Sequence, residues 1–170
     1  MSVRLVPLTN EFKEEFIRMN QAAFKYGAGQ YFCGDEMEDQ YEEEGEIISR
    51  ETIVNSIRRV GSIAYRIVEE GRMVGGIIVN LDGDHGELEI FFIDPAFHSK
   101  GMGQEAWGEI ERIHSNVKTW ETVTPCFEKR NIHFYVNKLG FHIVEYYNEH
   151  HCDPETREDM MEMYRFKKKM

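Results

Sequence analysis

Glu87-Leu88-Glu89-Ile90-Phe91-Phe92-Ile93-Asp94-Pro95-Ala96-Phe97-His98-Ser99-Lys100-Gly101-Met102-Gly103-Gln104 is the stretch on which the fold turns. Its first seven residues are β-branched, aromatic or alternating, as a strand requires. Asp94-Pro95 closes that strand, because proline neither donates to a ladder nor lets its predecessor turn helical. Gly101 and Gly103 then open a helix. A helix start carries unpaired N–H groups and the positive end of the macrodipole. Glycines let a bulky anion come close to the backbone, and Lys100 adds charge. The segment therefore reads as a strand feeding a phosphate cradle.

Working outward, Val3–Leu8 reads as a short strand. Asn10 opens a helix running to about Phe24, with Phe12, Phe16, Met19 and Ala23 on one side. A glycine-broken acidic stretch covers 27–45, and a second helix spans about Glu51–Val60. Ser62–Glu69 and Met73–Asp82 form a hairpin across Glu70-Gly71-Arg72, and Asp82-Gly83-Asp84 turns into the Glu87 strand. The helix from Gly101 to about His114 points Ala106, Ile110 and Ile113 inward. Thr119–Thr124 is a strand, Asn131–Leu139 a short helix ended by Gly140, and Phe141–Glu149 and Met160–Phe166 a last strand pair. The order is β-α-α-β-β-β-α-β-α-β-β. One helix crosses between the Glu87 and Thr119 strands, so these are expected to be parallel neighbours, the other pairs antiparallel.

With 170 residues the chain suits one domain, 1–170, and 41% hydrophobic content supplies a core. No stretch approaches a membrane span, and the N-terminus is broken at Pro7, too soon for a signal peptide, so a cytoplasmic location is expected. A net charge of −11 argues against nucleic acid and favours cationic small partners. Cys33, Cys126 and Cys152 form no pattern of paired spacing and read as reduced thiols.

Gly101-x-Gly103-x-x-Ala106 fits the dinucleotide fingerprint, with Glu121 about twenty residues on. That reading, an NAD(P)-binding oxidoreductase, lacks its setting. Several residues separate strand from glycines, and the preceding strands are hairpin-linked instead of doubly wound. The better match is to the GNAT N-acetyltransferase family. His98-Ser99-Lys100-Gly101-Met102-Gly103 resembles its pyrophosphate loop, written Arg/Gln-x-x-Gly-x-Gly/Ala, with His98 where Arg or Gln is usual. Asn131-Ile132-His133-Phe134-Tyr135-Val136-Asn137-Lys138-Leu139-Gly140-Phe141 resembles the Asn-led helix and Tyr-x-x-x-x-Gly-Phe ending that follow.

The resemblance implies an α/β (α+β) three-layer fold. Its mixed, mostly antiparallel sheet of six to seven strands is splayed between two parallel central strands, with helices on both faces. It implies acetyl-CoA as co-substrate, no metal, and acetyl transfer to a primary amine within a ternary complex. The backbone of His98, Ser99, Lys100, Gly101, Met102, Gly103 and Gln104 would hold the pyrophosphate. Phe92 and Ile93 would pair with the pantetheine arm, one N–H there polarising the thioester carbonyl. Asn131 would touch the pantetheine or its thiol end. Glu87 and Glu89 share a strand face by period two and fall where the family places its base. Glu89 ranks ahead because it lies deeper. Tyr135 occupies the general-acid position, and such folds often pair as homodimers through sheet edges or C-terminal strands.

Other constellations weigh less. Cys126 has no base paired with it in sequence and reads as a buried structural thiol. His150-His151-Cys152-Asp153 are adjacent, so their side chains diverge instead of gathering a metal. Trp107 and Trp120 read as core, and Lys167-Lys168-Lys169 as a solvated tail. Asp35, Glu36, Glu38, Asp39, Glu42, Glu43, Glu44 and Glu46, interleaved with Tyr31, Phe32, Met37 and Tyr41, read either as a self-repelling loop or as an acceptor wall selecting a cationic amine: a polyamine, an aminoglycoside or a peptide amine. A GNAT-like domain that binds acetyl-CoA without transferring from it is the competing non-enzymatic reading.

Overall fold

The computed structural model describes residues 2–155 and 161–170. Its strands are β1 (Arg4–Pro7), β2 (Ser62–Glu69), β3 (Arg72–Asp82), β4 (His85–Ile93), β5 (Thr119–Pro125), β6 (His142–Tyr147) and β7 (Met163–Lys169). They form one sheet in the order β1-β2-β3-β4-β5-β7-β6. Every neighbouring pair is antiparallel except β4–β5, which is parallel. The helices are α1 (Lys13–Ala28), α2 (Asp35–Glu38), α3 (Arg50–Arg58), α4 (Met102–Ile113) and α5 (Lys129–His133). The expected strand order, crossover and parallel pair are all present. The expected last strand began at Met160, which lies outside the described residues.

The sheet has a core on each face. One packs Phe16, Ile17, Ala23 and Ile53 of α1 and α3 on Ile78, Ile90 and Phe92. The other packs Ala106, Trp107 and Ile110 of α4, with Tyr135, Leu139 and Phe141, on Ile77, Val79, Leu88, Trp120 and Phe166. Trp107 and Trp120 meet edge to face at 5.1 Å, both nearly inaccessible. Full burial of such side chains stabilises by about 1.5–3 kcal/mol each. Ile113, expected inward, is exposed, because the inward stripe of Ala106, Trp107 and Ile110 continues four residues on to the buried His114 and leaves Ile113 beside it.

Two local departures shape the site. Ile78 pairs with Ile90 but Val79 pairs with Leu88, which leaves Glu89 as a β-bulge in β4. The alternation read from the sequence breaks there: Leu88 enters the α4-side core and Ile90 the α1-side core. After β5, α5 continues as a π-helical turn over Phe134–Lys138, with Leu139 N–H donating to the Phe134 carbonyl at 3.0 Å. Gly140 then ends it at φ 80°, and Phe141 N–H donates back to the Tyr135 carbonyl at 2.9 Å.

Lys167–Lys169 are not a solvated tail. They are the last residues of β7, in register with Glu121, Trp120 and Thr119. Lys167 reaches Glu121 at 3.1 Å and Lys168 pairs with Glu111, so the ammonium groups have carboxylate partners while their stems cover the sheet. Cys126 is half-buried, and burial raises its thiol pKa.

Candidate active site

The site is made by a ladder that stops early. β4 and β5 pair only at His85↔Thr119, Gly86↔Trp120 and Glu87↔Glu121. Beyond them β4 carries its bulge and β5 follows β7, so the two parallel strands diverge. Thr122 spans the first gap with its side chain, its hydroxyl donating to the Leu88 carbonyl at 2.9 Å. Further out, Leu88, Glu89, Phe91, Phe92 and Ile93 of β4 and Thr122, Val123, Thr124 and Pro125 of β5 line a cleft of ≈ 1620 Å³.

The predicted cradle forms one end of this cleft. His98 through Gln104 all line it, as do Phe92, Ile93, Asn131 and Tyr135. Gly101 caps α4 at φ 77°, a left-handed conformation that favours glycine, and Ser99 shares that region at φ 64°. The helix ladder starts only with Glu105 N–H to the Gly101 carbonyl, so the N–H groups of Met102–Gln104 have no intrahelical partner. A Cβ on Gly103 would stand 3.0 Å from the Phe134 ring, which makes the helix start a close-packed wall. These unpaired donors, positive dipole and bare backbone suit a diphosphate. Lys100 lies with its ammonium 5.1 Å from the Phe97 ring centroid.

The two candidate bases divide. Both reach Arg59, whose Nη1 donates to Glu89 Oε1 at 2.7 Å and to Glu87 Oε2 at 3.2 Å. Glu89 lines the cleft with its side chain only 9% exposed, whereas Glu87 is in the parallel ladder and is not a lining residue. Burial raises the Glu87 carboxyl above the usual range, with Glu155 adding to the rise and Arg59 opposing it.

Tyr135 sits at the cleft floor, packed on Phe134, Phe141 and Phe166. Burial first, then the Glu128 carboxylate, push its phenol pKa well above the ordinary tyrosine value, against the Thr122 hydroxyl, so it keeps its proton at any working pH. Glu128 itself lines the cleft, and burial raises its carboxyl against the opposing Arg130 charge.

The sequence did not single out Arg59, Thr122, Glu128 or Arg130. None belongs to a motif: Arg59 caps the end of α3, Glu128 and Arg130 lie at the start of α5, and Thr122 is the β5 residue just past the end of the parallel ladder. The acidic stretch also divides. Glu42 accepts from Ser49 N–H and the Thr52 hydroxyl, both at 2.8 Å, and Glu43 accepts from Gln21 and Arg50 N–H. These two carboxylates fasten the loop to the start of α3, and Glu42 also lines the cleft with Asp39 and Tyr41, beside Tyr31 and Phe32. Around His150–Asp153, His151 pairs with Glu145 at 2.7 Å and His150 with Glu149 at 3.2 Å. Among the described residues no group of three such side chains could hold a metal, and no helix is long and apolar enough to cross a membrane.

Comparison with known proteins gives the same architecture. A Bacillus subtilis (strain 168) relative, the uncharacterized protein YrkN, is 47% identical over 114 residues, 66% of this chain and 62% of the relative's own length. Among solved structures, the PaiA N-acetyltransferase of Thermoplasma acidophilum in complex with coenzyme A superposes over 100% of both chains with a TM-score of 0.74 at 18% identity. The Vibrio cholerae spermidine N-acetyltransferase, in complex with CoA and spermine, covers 99% of this chain and 95% of its own at TM-score 0.67 and 12% identity. The Escherichia coli ribosomal-protein-S18-alanine N-acetyltransferase covers 97% and 92% at 0.68 and 13%. At such identities these likenesses establish the fold. Residues 14–141 match the acetyltransferase (GNAT) family, and with the splayed β4–β5 pair and the open α4 start in place, the chain belongs to that family.

Proposed function

We propose that the chain, as a single domain over 1–170, transfers an acetyl group from acetyl-CoA to a primary amine by direct attack in a ternary complex. The wedge between β4 and β5 carries this reading, because it joins an anion cradle at one end to a carboxylate and a phenol at the other. His98–Gln104 would hold the pyrophosphate, and the edge of β4 at Phe92 and Ile93, which β5 leaves free although the Ile93 carbonyl meets His98, would pair with the pantetheine arm. Asn131 lines the same wall.

An aliphatic ammonium with pKa near 10.4 costs about 4.6 kcal/mol to deprotonate at pH 7. Glu89, kept beside Arg59, takes that proton directly or through water. The freed amine forms its bond to the acyl carbon as the carbon–sulfur bond breaks. Tyr135, still protonated, donates a hydrogen bond to the departing sulfur, and the proton that the nitrogen sheds on becoming an amide leaves on the thiol. An acceptor carrying positive charge fits the carboxyl groups of Asp39, Glu42, Glu89 and Glu128 around the cleft, with Tyr31, Phe32, Tyr41 and Phe127 as its aromatic walls. Polyamines and peptide amines both meet that description.

Calorimetric titration with acetyl-CoA, with NADH as control, tests the cradle. Saturable acetyl-CoA binding that is lost in Gly101→Val and Gly103→Val supports it, and a thiol-release screen over amines then finds the acceptor. NADH binding without acetyl-CoA binding would overturn the assignment. Acetyl-CoA binding with no turnover on any amine would turn the reading toward a non-catalytic coenzyme-binding module.

A further inference from the structure

We infer that Arg130, aimed by His98, is a phosphate ligand for the coenzyme and completes the cradle from its α5 side. This rests on the acetyl-CoA reading above. His98 Nδ1 lies 2.7 Å from Arg130 Nη1, and its Nε2 lies 2.9 Å from the Ile93 carbonyl oxygen. An arginine only donates, so Nδ1 accepts and the ring proton sits on Nε2, which donates to Ile93. The imidazole is thus neutral and fixed at both nitrogens, with its edge against Tyr26 at 5.7 Å. Burial draws its pKa below the ordinary histidine value and the Arg130 charge adds to this, against the Ile93 carbonyl and Asp94.

Arg130 is tied a second time through its backbone, whose N–H donates to the Tyr31 hydroxyl at 3.1 Å. His98 therefore holds the guanidinium beside the cradle while Tyr31 holds the backbone that carries it, and both Arg130 and His98 line the cleft. The cradle loop contributes only Lys100 as a cation, and that ammonium lies over the Phe97 ring. On a chain of net charge −11, a polyanionic ligand needs a local cation to be held. The guanidinium fork keeps further N–H donors after the one given to His98, and planar paired donors suit phosphate oxygens. His98 is then a positioning residue. It occupies the loop position where the family pattern has Arg or Gln, and it recruits the charge from α5.

Affinities of purified full-length wild type, Arg130→Ala, Arg130→Lys, His98→Ala and the double variant for acetyl-CoA and for 3′-dephospho-CoA test this by calorimetry. Arg130→Ala is expected to weaken acetyl-CoA about 10- to 100-fold, the scale of a charge-assisted hydrogen bond, with a thermal midpoint unchanged because the side chain is exposed. Arg130→Lys should recover part of the loss and of the salt dependence. His98→Ala should weaken binding less, and the double variant no more than Arg130→Ala alone, as expected if the histidine acts through the arginine. A loss shared by both nucleotides assigns Arg130 to the pyrophosphate, and one confined to acetyl-CoA assigns it to the 3′-phosphate. Wild-type affinity of Arg130→Ala for both nucleotides overturns the inference. Failure of the wild type to bind either nucleotide overturns the functional reading beneath it.

Discussion

The Thr122 hydroxyl donates to the Leu88 carbonyl across 2.9 Å, one residue beyond the last backbone pair of β4 and β5. A side chain thereby does what the ladder no longer does, satisfying a carbonyl at the apex of the wedge while the strands separate. Thr122 is almost fully buried, so Leu88 has little recourse to water. Thr122→Val preserves shape and removes the donor. We expect it to cost about 1–3 kcal/mol in urea unfolding, and to weaken acetyl-CoA binding by letting the apex relax. Unchanged stability would mean that the wedge is held by the bulge alone.

Glu89 and Glu87 share one arginine but not one environment. Glu89→Gln should lower turnover by about 10²–10⁴, the usual weight of a general base, with coenzyme affinity intact. Glu87→Gln leaves the 2.7 Å Arg59–Glu89 pair standing and should cost less than about tenfold. Steady-state rates with the first amine found to be acetylated decide between them. Equal losses would show that the proton passes through both carboxylates.

Period two in the sequence was enough to place both glutamates on β4, but not to separate them. The separation comes from the bulge, which depends on how β3 and β4 register against each other. Strands, hairpins and the α4 start were legible because glycine, proline and alternation are local signals. Arg59, Thr122, Glu128 and Arg130 were not, because each acts across a gap closed only by tertiary packing. Likewise, the π turn at Phe134–Lys138 shows no local signature; the ending Tyr-x-x-x-x-Gly-Phe fixed a spacing but not how the helix accommodates it. Lys167–Lys169 looked like a tail because three lysines seldom make a strand, yet Glu121 and Glu111 lie opposite them.

Tyr135→Phe removes one hydroxyl from a phenol otherwise held by rings. Its packing on Phe141 and Phe166 should survive, so stability should change by less than about 1 kcal/mol. Turnover should fall by about tenfold or more if the hydroxyl serves the departing sulfur. Thiol release measured alongside acetyl-CoA affinity separates the effects. An unchanged rate would leave Tyr135 as a core residue only.

Glu42 and Glu43 are expected to matter for stability more than for acceptor recognition. Glu42 accepts from Ser49 N–H and Thr52, at the positive end of α3, where an anion and a capping acceptor are each favourable. The Glu42→Gln, Glu43→Gln double variant should lose about 1–2 kcal/mol in denaturant unfolding. Its acceptor KM and salt dependence should stay within about twofold, because Glu42, although it lines the cleft, already accepts from Ser49 and Thr52, and Asp39, Glu89 and Glu128 remain there. A rise in KM with salt dependence lost would instead assign these two carboxylates to the acceptor.

His114 at the end of α4 and Tyr65 of β2 form a buried pair at 3.0 Å. Burial lowers the His114 pKa from its ordinary value, so the folded chain resists protonation at this site more than the unfolded chain does. The unfolded imidazole takes up a proton near pH 6.5. Above that, both states are neutral here and stability does not vary through His114. As pH falls below it, the unfolded state binds a proton that the folded state refuses, and stability declines until the lower folded pKa is passed. His98, lowered in the same sense, adds a similar contribution. As pH falls from 8 to 5 the wild type should therefore lose unfolding free energy relative to His114→Gln, chiefly below about pH 6.5, a difference in which the opposite contribution of the raised Glu87 and Glu128 carboxyls cancels. A profile that His114→Gln leaves unchanged would mean that Tyr65 takes the imidazolium as readily as the neutral ring.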